Sequence, residues 1–212
     1  MGITEQLIKF STAEVPEEAA AMMRLSLLDW AACGIAGAQE PDFATFRRAQ
    51  MVEDGPAHVF GGGTLGAAAA ALVNGTLSHA LDYDDTHFAH IGHPSVAVLP
   101  CVMALAETLD IPLGDAVDAA TIGVEASIIV GVWLGRAHYQ IGYHQTATAG
   151  AFGATVAAAR VLGLGKEQTR HALGLCASMA SGVKAQFGTM AKPLNAGLAA
   201  RTGVEAALWA QA

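Results

Sequence analysis

Apolar residues recur at helical spacing along nearly the whole chain, and the strict alternation of a half-buried strand is almost absent. Pro16, followed by Glu17 and Glu18, marks a helix start. The apolar positions of "EEAAAMMRLSLLDWAACGIAG" then continue until Gly34 and Gly37 weaken and end the helix. A shorter helix is expected over 42–53. "AHVF" (57–60) is the one strand-like stretch, and a glycine-rich turn follows it. Further helices are expected near 64–81, 95–109, 115–135, 146–162, 167–180 and 193–210, punctuated by Pro112, Gly114, Gly163 and Gly165. Many are built from Ala and Gly, as in "GAFGATVAAARVLGLG", so neighbouring backbones can approach closely. Without strands between the helices no parallel sheet is expected, and no internal repeat or low-complexity linker interrupts the pattern. The expected fold is all-α, a bundle or orthogonal helical domain occupying 1–212 as one unit.

Composition sharpens this picture. Of 212 residues, 53% are hydrophobic and 14% charged, and mean hydropathy is +0.40. No uncharged apolar run reaches the ~20 residues of a bilayer span; the most lipid-like stretch, "ASIIVGVWLG", is too short. The surplus apolar surface is therefore expected to meet a second protein surface, as in a homodimer, and not a membrane. A net charge of −8 leaves no basic stripe for nucleic acid. "MGITEQLIKF" lacks a secretory pattern, and Gln6 stands where a myristoylation signal needs Ser or Thr. Cys33, Cys101 and Cys176 lie far apart in apolar patterns and read as buried thiols of a cytoplasmic protein.

"GGGTLG" (61–66) matches a dinucleotide-binding fingerprint through Gly61, Gly63 and Gly66. The chain supplies no further strands for the sheet such a site requires, so a flexible hinge before a helix is the expectation here.

Chemistry concentrates in "HALDYDDTHFAHIGHPS" (79–95), with four histidines and three aspartates in seventeen residues. If the helix persists, His79, Asp82 and Thr86 share one face. His93 precedes Pro94 and should be extended, and Ser95 is placed to cap the next helix. A metal reading rests on His87, His90 and His93 with Asp84 and Asp85 nearby, but Gly92 and Pro94 spoil a common face. An iron–sulfur reading of the three cysteines is weaker, since no Cys-x-x-Cys pair exists. Standing alone, the stretch could equally be a solvated helix end. Two further helix entries carry polar residues, however: Tyr143 and His144 before an Ala/Gly helix, and Lys192 before Pro193, where extended backbone is expected. Three such loops make a convergent anion site credible.

These stretches also carry a resemblance. "NGTLSHALDYDDTH…HPSVAVLPCVMALAE", "GYHQTATAGAFGATVAAARVLGLG" and "GTMAKPLNAGLAARTGVEAA" resemble the MmgE/PrpD family, which includes 2-methylcitrate dehydratase, cis-aconitate decarboxylase and iminodisuccinate epimerase. The resemblance covers nearly the whole chain. It implies a cofactor-independent, usually dimeric enzyme acting on small polycarboxylates, with a large all-α domain and a smaller α/β lid domain. By motif match, the family's functional residues fall on Asp82, Thr86 and His93, then His144, then Lys192. The chain departs from common family patterns at Tyr143-His144-Gln145 and at Asn195, and it ends where a full member continues into the lid, so less than half of one is expected to be present.

Dehydration, epimerisation or decarboxylation beside a carboxylate passes through a carbanion or enolate. It needs a base, a proton donor and cations for the developing charge. On that chemistry His93 is assigned as general base, oriented or polarised by Asp82, with His144 or Tyr143 as proton donor, Lys192 pairing with a substrate carboxylate and Thr86 hydrogen-bonding to it. Two other readings remain at this point: an inert helical module, and a metal-dependent hydrolase built on His87, His90 and His93.

Overall fold

The computed structural model describes residues 2–212. Its helices are α1 (Ile3–Phe10), α2 (Glu17–Gly37), α3 (Pro41–Gln50), α4 (Ala67–Ser78), α5 (Val98–Leu109), α6 (Leu113–Gln140), α7 (Gln145–Val161), α8 (Lys166–Met179) and α9 (Ala191–Gln211). The fold is all-α as expected. The strands among the described residues are the two-residue pair β1 (Ala57–His58) and β2 (Thr64–Leu65), and a 3-10 turn spans Lys184–Gln186. α1 lies outside the expected elements. Its eight residues are too few to show a period, yet they bury Leu7 and Ile8.

The Ala/Gly helices pack backbone to backbone. α7 is buried along nearly its whole length and lies between α6 and α9, while α9 also crosses α4. At that crossing a Cβ on Gly75 would stand 2.9 Å from Gly197 Cα, and one on Gly197 would stand 2.2 Å from Leu72 O. Gly123 and Gly153 serve the same purpose between α6 and α7, where a Cβ on either would come within 3.0 Å of the other's carbonyl oxygen. Mid-helix glycine costs about 1 kcal/mol relative to Ala, which close contact must offset.

The "GGGTLG" segment is neither a phosphate loop nor a hinge. Gly61, Gly62 and Gly63 take φ of 84°, 99° and 91° to close an antiparallel hairpin pairing Ala57 with Leu65 and His58 with Thr64. Arg47 Nη1 donates to Gly62 O at 2.6 Å and fixes the turn.

By length and composition, α2 and α6 are each apolar enough to cross a membrane. Uncharged runs alone miss this, because charges such as Arg24 and Asp29 in α2 are few and well spaced. Half of the most apolar stretch of α6 is buried within the bundle. On α2 the side chains of Met22, Leu25, Leu28 and Ile35 are exposed.

Candidate active site

Four chain segments meet at one end of the bundle: the segment after α4, the α6–α7 turn, the stretch before α9, and α9's first turn. They enclose a cavity of about 660 Å³ whose walls include Asp82, Thr86, His93, Thr146, His144 and Lys192.

α4 stops sooner than its pattern suggests. Ser78 Oγ donates back to Asn74 O at 2.7 Å, His79 caps the helix, and Asp82 turns the chain with a left-handed φ of 59°. The shared helical face of His79, Asp82 and Thr86 therefore does not form. His79 Nδ1 lies 2.9 Å from both carboxylate oxygens of Asp84. A helix would place residues five apart on different faces, so this contact and a continuing helix are incompatible.

Asp84 is 2% exposed and organises the cluster. Its Oδ2 lies 3.2 Å from His93 Nδ1, and its backbone oxygen lies 3.0 Å from the same nitrogen. Burial alone would raise the Asp84 carboxyl, but hydrogen bonds from His79 and His93 and their charges hold it far below the usual carboxylate range. An ionised carboxylate only accepts, so His79 and His93 each donate through Nδ1. On the cavity side, His93 Nε2 lies 3.2 Å from Asp82 Oδ1, and Lys192 Nζ pairs with that same oxygen. The His93 amide donates to Thr146 Oγ1 at 3.1 Å. Both ring nitrogens thus face acceptors, an arrangement the doubly protonated imidazolium satisfies in full. Burial would lower the His93 pKa, but Asp84's hydrogen bond and charge outweigh it and raise the value above the ordinary histidine range. Asp82, despite burial, is held below the usual range by Lys192 and His93.

His144 is the counterpart. It caps α7 with extended backbone and is 3% exposed. Its ring stacks on His79 at 5.8 Å and meets Phe187 edge-on at 5.0 Å. Asn195 Nδ2 donates to His144 Nδ1 at 3.3 Å. Burial first, then the charges of His79 and Lys192, push its pKa down to about 3. The surroundings thus favour the charged form of one histidine and the neutral form of the other, and both rings lie against His79.

Asp82, Thr86, His93, His144 and Lys192 come together as expected. Tyr143 does not: it is half-exposed, stacks on His138 at 4.5 Å and leaves the cavity wall to its neighbours. Lys192 is helical, not extended, because Pro193 sits in the first turn of α9, where its missing N–H has no intrahelical partner. Ser95 does not cap by its side chain. Its carbonyl accepts from Val98 and Leu99, while its buried Oγ has no partner. The His87/His90/His93 run does not converge either, since His90 is fully buried with Nε2 2.9 Å from Ser127 Oγ on α6. Among the described residues, the group compact enough to share one ion is His79, Asp82, Asp84 and His93. That group fits a metal poorly, because Lys192 already sits on Asp82 and both histidines donate through Nδ1 to Asp84. Sequence reasoning missed the parts played by His79, Asp84, Thr146 and Asn195. Their one signal was polarity within an apolar chain.

Fold and site together define an all-helical domain that gathers paired acid–base side chains at its helix ends. The chain belongs to the MmgE/PrpD family: the model of the MmgE/PrpD N-terminal domain matches residues 3–212. It is 31% identical over 221 residues to cis-aconitate decarboxylase of Aspergillus terreus, covering 96% of this chain and 44% of that protein. It is 37% identical over 146 residues to cis-aconitate decarboxylase of Homo sapiens, covering 66% and 30%. Similarity to the cis-aconitate decarboxylase-like protein oryM of Aspergillus oryzae is 29% over 227 residues, covering 99% and 47%. The chain spans less than half the length of these relatives.

Proposed function

We propose that this chain forms the helical part of a lyase site that moves a proton beside a carboxylate of a small polycarboxylate, using protein side chains as acid, base and counter-charge. The observation that carries the reading is His93, held between Asp84 and Asp82 and adjoining Lys192. The contacts favour roles opposite to those assigned from the reaction chemistry alone. His93, with acceptors at both nitrogens, is the proton donor, and neutral His144 is the acceptor once Asn195 releases its Nδ1, the one nitrogen of the neutral ring that can take a proton. Pairs of groups whose surroundings drive their pKa values apart divide acid from base in this way. In a dehydration, the acceptor takes the carbon-bound proton, and the departing hydroxyl leaves as water with the proton from His93 Nε2. In a decarboxylation, carbon dioxide leaves and the carbanion takes that proton. Lys192 exchanges Asp82 for a substrate carboxylate, and the Thr86 hydroxyl donates to the same group. The relatives named cis-aconitate decarboxylase support lyase chemistry.

The test is an NMR assay of the purified protein with cis-aconitate, 2-methylcitrate, citrate and iminodisuccinate, with and without chelator. We expect one of these acids to be consumed at a rate indifferent to chelator, and His93→Ala to slow it by about a hundredfold or more. Neither turnover nor binding of any of them would reduce the chain to an inert helical module. Chelator-sensitive turnover would return the metal-dependent reading.

A further inference from the structure

We infer that Arg136 is the anchor for a second, distal substrate carboxylate, selecting di- and tricarboxylates over monocarboxylates at this cavity. The inference rests on the acid–base reading above and adds to it the shape of the ligand's charge.

The first observation is an unspent cation. Each of the other six arginines has a partner: Arg24, Arg170 and Arg201 hold glutamates, while Arg47, Arg48 and Arg160 donate to backbone or hydroxyl oxygens. Arg136 lines the cavity and has no hydrogen bond or ion pair among the described residues. Lys192, across the same cavity, is neutralised by Asp82. A ligand that displaces Asp82 satisfies Lys192 with one carboxylate and leaves the guanidinium for another. Guanidinium is the side chain suited to that task, since its planar fork matches a carboxylate with two parallel hydrogen bonds.

The second observation is how Arg136 gets there. α6 is interrupted at Gly135, whose φ of 69° and ψ of 177° lie in a region open to glycine alone. A Cβ at Gly135 would meet nothing within 4 Å. Packing therefore does not explain the glycine, but the backbone conformation does. The kink re-aims the last turn of α6, so that Arg136 and Tyr139 both form cavity wall. Such a local conformational cost persists where it positions something, and here that is the free guanidinium.

The experiment is calorimetry with glutarate and with its monoamide, glutaramate, which keeps the length and loses one charge. Wild type should bind glutarate about ten- to a hundredfold more tightly. Arg136→Gln should erase that difference by weakening glutarate alone. Gly135→Ala, checked for helicity by circular dichroism, should do the same with Arg136 present. If Arg136→Gln leaves glutarate binding intact while Lys192→Ala abolishes it, Arg136 is not the anchor and the proposed site stands. Equal weakening of both ligands by Arg136→Gln also refutes a distal-carboxylate role. If wild type binds neither, the proposed site fails together with this inference.

Discussion

A single buried carboxylate, Asp84, governs the behaviour of His93. It reaches Nδ1 through both a side-chain and a backbone oxygen and keeps the proton on the ring. Asp84→Asn preserves shape but removes the charge, so the raised His93 pKa should fall toward the ordinary histidine value. Activity that depends on protonated His93 should then lose its alkaline limb at lower pH, with kcat/KM at neutral pH down about ten- to a hundredfold. An alkaline limb that stays put would assign Asp84 to structure alone. The two shifts act on stability in opposite pH directions. A raised His93 pKa contributes stability below the unfolded-state value that is lost as pH rises through the folded one. A lowered Asp84 pKa contributes stability above the unfolded-state value that is lost as pH falls. In the sequence, the residues of the site were legible as outliers against an apolar background, and five of the six expected residues do line the cavity. Their partners were not legible, because the His79–Asp84 contact spans five residues of irregular backbone, where no helical or strand period applies.

At the scale of elements, helix interiors followed the pattern and helix ends did not. α4 yields to the pull of Asp84 on His79, and α9 starts before its proline because a first turn tolerates one. The segment between α4 and α5 shows what replaces regular structure there. His87 and Gly92 form an isolated bridge, and His90 is inserted against α6, where Gly131 leaves room: a Cβ there would stand 2.9 Å from the His90 ring. Burial, then the charges of His87 and His93, push the His90 pKa down to about 4. Between that value and the ordinary 6.5, the unfolded chain binds the proton and the folded one refuses it, so stability must climb with pH. His90 accounts for about 3 kcal/mol of that climb at most. Urea unfolding at pH 5 and pH 7 should show the rise, and His90→Gln should remove about half of it, leaving the comparable share due to His144, whose pKa is pushed down further still. An unchanged slope would mean that His90 is not buried neutral.

For the whole molecule, Ala/Gly composition announced close helix contact but could not say which helices meet. That depends on pairs such as Gly75 and Gly197, 122 positions apart in sequence and touching in space. This crossing makes α4 and α9 the two arms of a pair of tongs. Gly75 lies four residues before His79, Gly197 lies five after Lys192, and at ~1.5 Å per residue each arm is only ~6–8 Å long. Any wedge at the pivot therefore opens the tips by a comparable distance, and the tips carry the Asp82 loop and Lys192. Gly197→Ala, whose methyl would strike Leu72 O and Thr76 Oγ1, should loosen carboxylate binding about tenfold or more, although it touches no cavity residue. Calorimetry with glutarate, alongside a melting curve to show that the helices persist, reads the effect. Glutarate bound as tightly as by wild type would show that the arms bend independently of the pivot. If they do not, drift in this protein is held in check at a contact far from its chemistry, and a lineage that exchanges either glycine must retune its grip on the ligand at the same time.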